Sequence, residues 1–480
     1  MSRTQHHETF PDLGNCHGPP GAYKLSQQTG FSGLQPTITI QGFVIWRNGR
    51  SSRNILLPTP DLPHGYYAEG PHGERCTIVK DAPSNDMKFC EDATFWERLD
   101  GNGDVLDKVL LLSCDPSRKS WNTVMGPLQD PSSRGSLWLY DIRDAAARPR
   151  RIALEGYPDG HDFHPLGLDI YPSSQHQPDD EGSGSGSGSG QRHSNLFVVN
   201  HARYNSTIEQ FALSWQTPDR ATWVRTISGP AADLVAPNAL ALTSPTSFYL
   251  THDHRFTRRL PGLLGKTLPI TESILALPLA WATHVNLALD DDDEMTTTTT
   301  VVASHIPFAN GVAISPDGKR VAIASTTLCE IRFYERDVAT QALELAASVP
   351  TPFAPDNVVF DEQGALVVAG HPHFQALVAV AANHTDAYAP SWVVSITPST
   401  ITSSSATGAE QGQDDAGVWD VGVPVPASRK VPRVPGYELR TLYQSDGSEF
   451  SSSSTGLRDS KTGVLYMVGL YEEGLMVCTP

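Results

Sequence analysis

The sequence predicts an all-β fold, a six-bladed β-propeller with a few short helices covering the mouth of a central tunnel. Three observations carry that prediction: composition, a recurring unit, and the common position of certain polar residues within that unit. In composition, 39 Gly and 37 Pro among 480 residues favour many short elements joined by turns over long helices. With 39% hydrophobic and 18% charged side chains the chain reads as globular, and its length suits two or three ordinary domains or one large all-β unit.

In chain order, residues 1–70 are rich in Gly, Pro and His, show one strand-like run, "FVIW" at 43–46, and read as an extension beside a propeller spanning 71–480. The recurring unit is a short apolar run, a turn rich in Asp, Gly, Pro or Ser, and a second apolar run. It reads "LGLDIYPS" with "NLFVVNH", "NALALTSPTSFYLTHD" from Asn238, "NGVAISPDGKRVAIAS" from Asn310, "DNVVFDEQGALVVAG" from Asp356 and "TGLRDSKTGVLYMVGL" near the C-terminus. Each unit is too small to bury its own faces, which is how propeller blades look in sequence. The region near 91–142 supplies a sixth blade. Unit starts lie 72 residues apart from Asn238 to Asn310 and 47 from Asn310 to Asn357, so the blades differ in decoration. Three inserts, near 172–194, 288–300 and 398–417, are too polar to offset their ordering entropy and read as solvated loops. The acidic run at 290–294 is read as a hydrated loop, not a cation site.

A formal charge of -18, from 53 acidic against 35 basic residues, disfavours the Lys/Arg surface on which nucleic-acid affinity depends. No stretch approaches the roughly 20 apolar residues that span a bilayer, and the first thirty residues carry no apolar signal core. Asn205 and Asn383 open sequons usable in a secretory lumen. The six cysteines, Cys16, Cys76, Cys90, Cys114, Cys329 and Cys478, show no zinc or redox spacing.

Asn238, Asn310 and Asn357 each stand immediately before the first apolar run of their unit, so equivalent blades deliver three carboxamides, with Asp356, to equivalent places near the propeller axis. A ring of neutral oxygens with a carboxylate is a hard donor set suited to Ca²⁺. The competing reading is that each Asn only makes a turn, Asn310-Gly311 being a strong turn pair. A further carboxylate is expected from Glu91 and Asp92 in "FCEDATFW", two acids among apolar neighbours that seldom lie buried without a cation.

"LFVVNHARYNSTIEQF", "FYLTHDHRF", "FANGVAISPDGKRVAIA", "PDNVVFDEQGALVVAGHP" and the terminal "LMVC" occur in the order found in the serum paraoxonase/arylesterase family, which the chain resembles over roughly 75–480. The resemblance implies a calcium-dependent hydrolase of lactones and aryl esters. It assigns Glu91, Asn238, Asn310, Asp356 and Asn357 to a catalytic calcium, and Asp92 with the Leu168 carbonyl to a second, structural one, weakened because Ala239 stands where the family has an acid. It also implies a Cys76–Cys478 disulfide, hence a secretory or extracellular location. Cys16, Cys90, Cys114 and Cys329 are left unpaired. His254, Asp253, His371 and Leu166 are expected to line the substrate pocket. Residues 256–283 are expected to cover it, with lipid contact requiring an exposed apolar face.

The family credits a histidine pair with activating water. One partner is present as His201, but Leu166 occupies the other place, and His164 is two residues removed, about 6 to 7 Å along an extended chain. A metal-bound carboxylate, Asp356 or Glu91, is therefore expected to activate the water. A gluconolactonase-like sugar lactonase and a non-catalytic, calcium-stabilised binding propeller are the alternatives; the partner in the first reading is a small ester or lactone.

Overall fold

The computed structural model describes residues 61–144, 146–172, 193–230, 233–289, 295–384, 386–399 and 434–480. The expected strand at 43–46, Cys16, the Gly-Ser run, the acidic run and most of the third insert lie outside the described residues. Six sheets of four or five strands are arranged in a ring. Their innermost strands, Cys90–Leu99, Pro165–Tyr171, Pro237–Ser244, Ala309–Ile314, Ala354–Phe360 and Ser453–Arg458, each neighbour the next and the last neighbours the first. We number the blades I to VI in that order. All six fall where the sequence units place them.

The physical reason for the ring lies in the sheet faces. Each blade presents an apolar row to both neighbours, and six buried clusters fill the six seams. Between blades IV and V, for example, Ala322, Ala324, Ile331 and Phe333 meet Phe353, Val368, Trp392 and Val394. No blade could bury both faces alone, so closure supplies what a single sheet lacks.

Blade VI is built from both chain ends: Cys76–Val79 pairs antiparallel with Leu475–Cys478, and a disulfide joins Cys76 to Cys478 where the two strands align. The bond spans 402 positions of sequence. Removing it by a paired Cys76→Ser, Cys478→Ser change is expected to cost about 2–5 kcal/mol, measured as a lower urea midpoint; an unchanged midpoint would mean that strand pairing alone holds the ring.

Three sequence expectations are corrected. Cys90 and Cys114 are not unpaired but form a second disulfide, since they lie opposite each other on the two strands of one hairpin. Cys329 is buried and belongs to neither bridge. Thr296 to Thr300 are not a solvated insert: Met295–Ile306 is the outer strand of blade III, paired with Ala280–Leu289, as β-branched Thr favours. The blade structure also reaches N-terminal of residue 71, because Tyr66–Tyr67 adds to the edge of blade V.

The described residues contain three short helices, α1 (His72–Arg75), α2 (Leu263–Ile274) and α3 (Phe374–Ala381). Helix α3 packs Leu377, Val380 and Ala381 against Phe89, Leu470 and Tyr471 at one end of the ring. Helix α2 leaves Leu263, Leu264 and Ile270 exposed. No helix of the described residues is long and apolar enough to cross a membrane.

Candidate metal centre and active site

Every innermost strand breaks register at the same place. The interruptions fall between Cys90 and Asp92, Pro165 and Leu168, Pro237 and Leu240, Ala309 and Val312, Pro355 and Val358, and Ser453 and Thr455. A bulge turns a side chain out of the normal alternation. Here the displaced positions hold Glu91, Leu166, Asn238, Asn310, Asp356 with Asn357, and Ser454. Asn310-Gly311 is accordingly no tight turn but part of a strand, and its glycine has another purpose. A Cβ on Gly311 would stand 2.6 Å from Asn357 Cα and 2.8 Å from the Asp356 carbonyl oxygen, so only glycine lets these two inner strands approach. Gly167 does the same against blade III, where a Cβ would meet the Asn238 carbonyl oxygen at 2.6 Å.

Glu91, Asn238, Asn310 and Asp356 line one cavity, together with Leu166 and His371. Asn357 lines the cavity on the other side of this layer and reaches Glu91 through its Nδ2, 3.1 Å from Oε1. Each carboxamide has its nitrogen fixed by an acidic side chain. Asn238 Nδ2 donates to Asp253 Oδ2 at 3.2 Å, Asn310 Nδ2 to Asp356 Oδ1 at 2.7 Å, and Asn357 Nδ2 to Glu91. The amide oxygens must then face the other way. There, Asn238 Oδ1, Asn310 Oδ1, Asn357 Oδ1 and Glu91 Oε2 are buried and bonded to nothing among the described residues.

Four orphaned buried oxygens at the equivalent point of four blades are costly, at about 1–3 kcal/mol each, unless something absent from the polypeptide meets them. The donor set is oxygen only and mostly neutral, which fits a hard divalent cation such as calcium and explains why no cluster of three His, Cys, Asp or Glu forms among the described residues. Burial first, then the charges of Asp92 and Asp356, push Glu91 well above the ordinary carboxylate range, an electrostatic strain that a cation relieves.

The second cavity, lined by Asp92, Leu168, Asp169, Ala239 and Asn357, differs. Asp92 Oδ1 accepts from Ala93 N and Thr455 Oγ1, and Oδ2 from Leu168 N. Asp169, which the sequence reading missed, is likewise held by Ile170 N and Leu242 N. Burial pushes Asp92 up to about 7 and Asp169 up to about 6. Apart from Asn357 Oδ1, no buried side-chain oxygen lining this cavity among the described residues lacks a partner. With Ala239 supplying no acid, these residues do not show the signature of the first site, and no second ion is assigned.

The histidines divide by what they touch. His371 Nε2 lies 2.9 Å from Asp356 Oδ2, inside the first cavity. His201 lies in a neighbouring pocket with Asp253 and His254. Its Nε2 donates to the Pro237 carbonyl at 2.6 Å and Nδ1 meets the Thr123 hydroxyl at 2.6 Å, while burial pushes the imidazole down to about 4. Both nitrogens are thus engaged away from the cavity that holds Glu91 and Asp356. His164 is not a rim residue: it is buried, with Nδ1 on Asp115 Oδ2 at 2.8 Å and Nε2 on the Pro131 carbonyl at 3.1 Å. Burial alone would raise Asp115, but the His164 hydrogen bond and charge, the Arg118 charge and the Ser117 hydroxyl together outweigh it and hold that carboxyl low. His254 links Asp253 Oδ1, at 2.9 Å, to Ser273 of α2, at 2.7 Å, so these two support Asn238 from behind.

The cavity wall is completed by Val124, Met125, Phe308, Phe374, Leu377 and Leu470. Phe374 and Leu377 come from α3, whereas α2 borders the neighbouring pocket through Pro269. Two polar residues in the wall, Arg118 and Asn122, escaped the sequence reading because they sit in an irregular connection within blade I where no periodicity marks them.

Fold and site together define a class: six-bladed propellers that gather oxygen donors from bulged inner strands onto the axis. Within that class the chain belongs to the arylesterase family, whose family model, described as Arylesterase, matches residues 128–408, more than half of the chain. It is similar to rat serum paraoxonase/arylesterase 1, 29% identical over 247 residues covering 51% of this chain and 59% of the relative. The human protein of the same name is 29% identical over 261 residues, 54% and 61% of the respective lengths, and rabbit serum paraoxonase/lactonase 3 is 24% identical over 249 residues, 52% and 60%. The chain thus spans about three-fifths of the length of these curated relatives. Among solved structures, a luciferin-regenerating enzyme aligns over 84% of this chain and 95% of its own at 12% identity with a TM-score of 0.41, a score too low to carry an argument.

Proposed function

We propose that the protein is a calcium-dependent hydrolase of lactones and of aryl or carboxylic esters. The observation that supports this most directly is the set of four buried, unbonded oxygens from Glu91, Asn238, Asn310 and Asn357 beside Asp356. These five side chains would hold the ion. Bound there, calcium supplies Lewis-acid polarisation of a carbonyl and charge to offset a developing oxyanion.

The chain's own residues supply the rest. The apolar wall from Val124 to Leu470 excludes water from an acyl or aryl body, and Leu166 extends it where the family has an imidazole. Asp356 is the acid placed to accept the proton of the attacking water at Oδ2, with His371 Nε2 at 2.9 Å to share it. His201 acts at a distance: it grips the Pro237 carbonyl next to Asn238 and so positions a donor. The two disulfides support a secretory or extracellular location.

The test is hydrolysis of phenyl acetate and of a long-chain γ-lactone, with and without chelator, alongside metal analysis. Turnover of at least one substrate, abolished by chelation and restored by calcium, is expected. Calcium retained without turnover of either would make the protein a binding propeller.

A further inference from the structure

Arg118 is buried, with 4% of its surface exposed, and lines the cavity that holds Glu91 and Asp356. Its guanidinium is clamped along one edge: Nε donates to the Phe89 carbonyl at 3.1 Å and Nη2 to the Pro165 carbonyl at 3.0 Å. Neither acceptor carries charge. The remaining nitrogen, Nη1, bonds to none of the described residues, and Arg118 forms no ion pair with any of them. Asp115, the acid nearest in sequence, is taken up by His164, Ser117 and the Ser117 amide.

A buried guanidinium without a carboxylate is unusual, since such charges are normally paired. Its two tethers tie the entry of blade I, at Phe89, to the inner strand of blade II, at Pro165, but main-chain carbonyls alone do not call for a charged donor. Charge balance sharpens the point. If Glu91 and Asp356 match a divalent cation, as the proposed function holds, the charge left to offset Arg118 is that of Asp115, whose oxygens are taken by His164 and Ser117 and which acts on the guanidinium only through space. The free end of a guanidinium, with parallel N–H groups, is shaped for a carboxylate.

We propose that Arg118 is a specificity-determining residue: its Nη1 end receives a carboxylate carried by the substrate, so the preferred substrates are esters or lactones that bear an anionic group besides the scissile carbonyl. This inference rests on the hydrolase reading for its reaction but not for its binding step. It concerns recognition only, and no bond to Arg118 forms or breaks.

The experiment compares para-acetoxybenzoate with its methyl ester, an uncharged substrate of nearly the same shape, on calcium-loaded wild-type protein, Arg118→Gln and Arg118→Lys. For Arg118→Gln the ratio of kcat/KM for acid over methyl ester is expected to fall roughly 10- to 100-fold, mainly through KM. Arg118→Lys, which keeps the charge and loses the fork, is expected to fall between. Equal losses on both substrates would overturn the inference, because the guanidinium would then be supporting Glu91 or the fold. An acid preference that survives in Arg118→Gln would overturn it as well, since the cation would be receiving the carboxylate. If wild-type protein bearing calcium hydrolyses neither ester, the hydrolase reading fails by itself. Calorimetric titration with para-acetamidobenzoate and its methyl ester, which need no turnover, then decides the claim by whether acid binding weakens roughly 10- to 100-fold in Arg118→Gln. Should Arg118→Gln not fold, the same comparison on Arg118→Lys applies, with an unchanged ratio counting against the proposal.

Discussion

Replacing Asp356 with Asn is expected to lower kcat on phenyl acetate roughly a hundred- to ten-thousand-fold, the range expected when a general base is lost. The carboxylate serves two neighbours at once, accepting from Asn310 Nδ2 at 2.7 Å through Oδ1 and lying 2.9 Å from His371 Nε2 through Oδ2. An asparagine has one acceptor oxygen, so its NH₂ must face one of those two partners. If it faces Asn310, that carboxamide turns and offers nitrogen where its oxygen was directed at the axis. Calcium affinity therefore falls together with turnover, and the assay must be run at several calcium concentrations. His371→Gln, which keeps a donor for Asp356, is expected to cost less. Full turnover in Asp356→Asn at saturating calcium would remove Asp356 as the base.

If the proposed site holds calcium, stripping it is expected to lower the melting temperature, and by more at pH 8 than at pH 5. The first half follows from the orphaned oxygens, which lose their only counterpart. An ion present at about a thousand times its Kd stabilises by about 4 kcal/mol, or about 5 °C for some four hundred folded residues at ~2.1 cal/mol/K each. The second half follows from Glu91. Burial and then the neighbouring Asp92 and Asp356 charges raise its proton affinity in the folded, metal-free chain above that of the unfolded chain. A group raised in this way favours the fold while protonated in both states, and that contribution is lost as pH rises from the unfolded value of 4.5 toward the folded one. Asp92, pushed up to about 7 by burial, acts with the same sign between its ordinary 3.8 and 7. The contribution of these two acids to the metal-free fold is thus smallest at alkaline pH, where the cation has most to offset. No loss at either pH would show that the orphaned oxygens do not face an ion, and equal losses at both would remove Glu91 and Asp92 as the source of the pH dependence.

Much of the site was legible because a propeller repeats its register. Asn238, Asn310 and Asp356 with Asn357 precede equivalent apolar runs, so identical backbone geometry carries them to equivalent points, and no knowledge of loops is required. Glu91 was legible for a different reason, an acid set among residues that have to be buried. The Cys90–Cys114 bridge was readable but unread: the turn "DGNGD" at 100–104 is centred midway between the two cysteines and aligns them across one hairpin. For Arg118 no such signal exists. Its place in the cavity depends on how an irregular segment folds over the ring, which neither periodicity nor spacing encodes.

The sequence by itself determined the number of blades, their order and the oxygen character of the axial site, because apolar alternation and phase are local properties that closure into a ring merely sums. Only the tertiary structure decided which histidine meets the carboxylate, that His201 and His164 spend both nitrogens elsewhere, and that a guanidinium in the wall has no carboxylate in ion-pair contact among the described residues. Those outcomes turn on hydrogen-bond partners separated by tens to hundreds of residues, and a linear chain does not state which distant acceptor will be within about 3 Å of which donor.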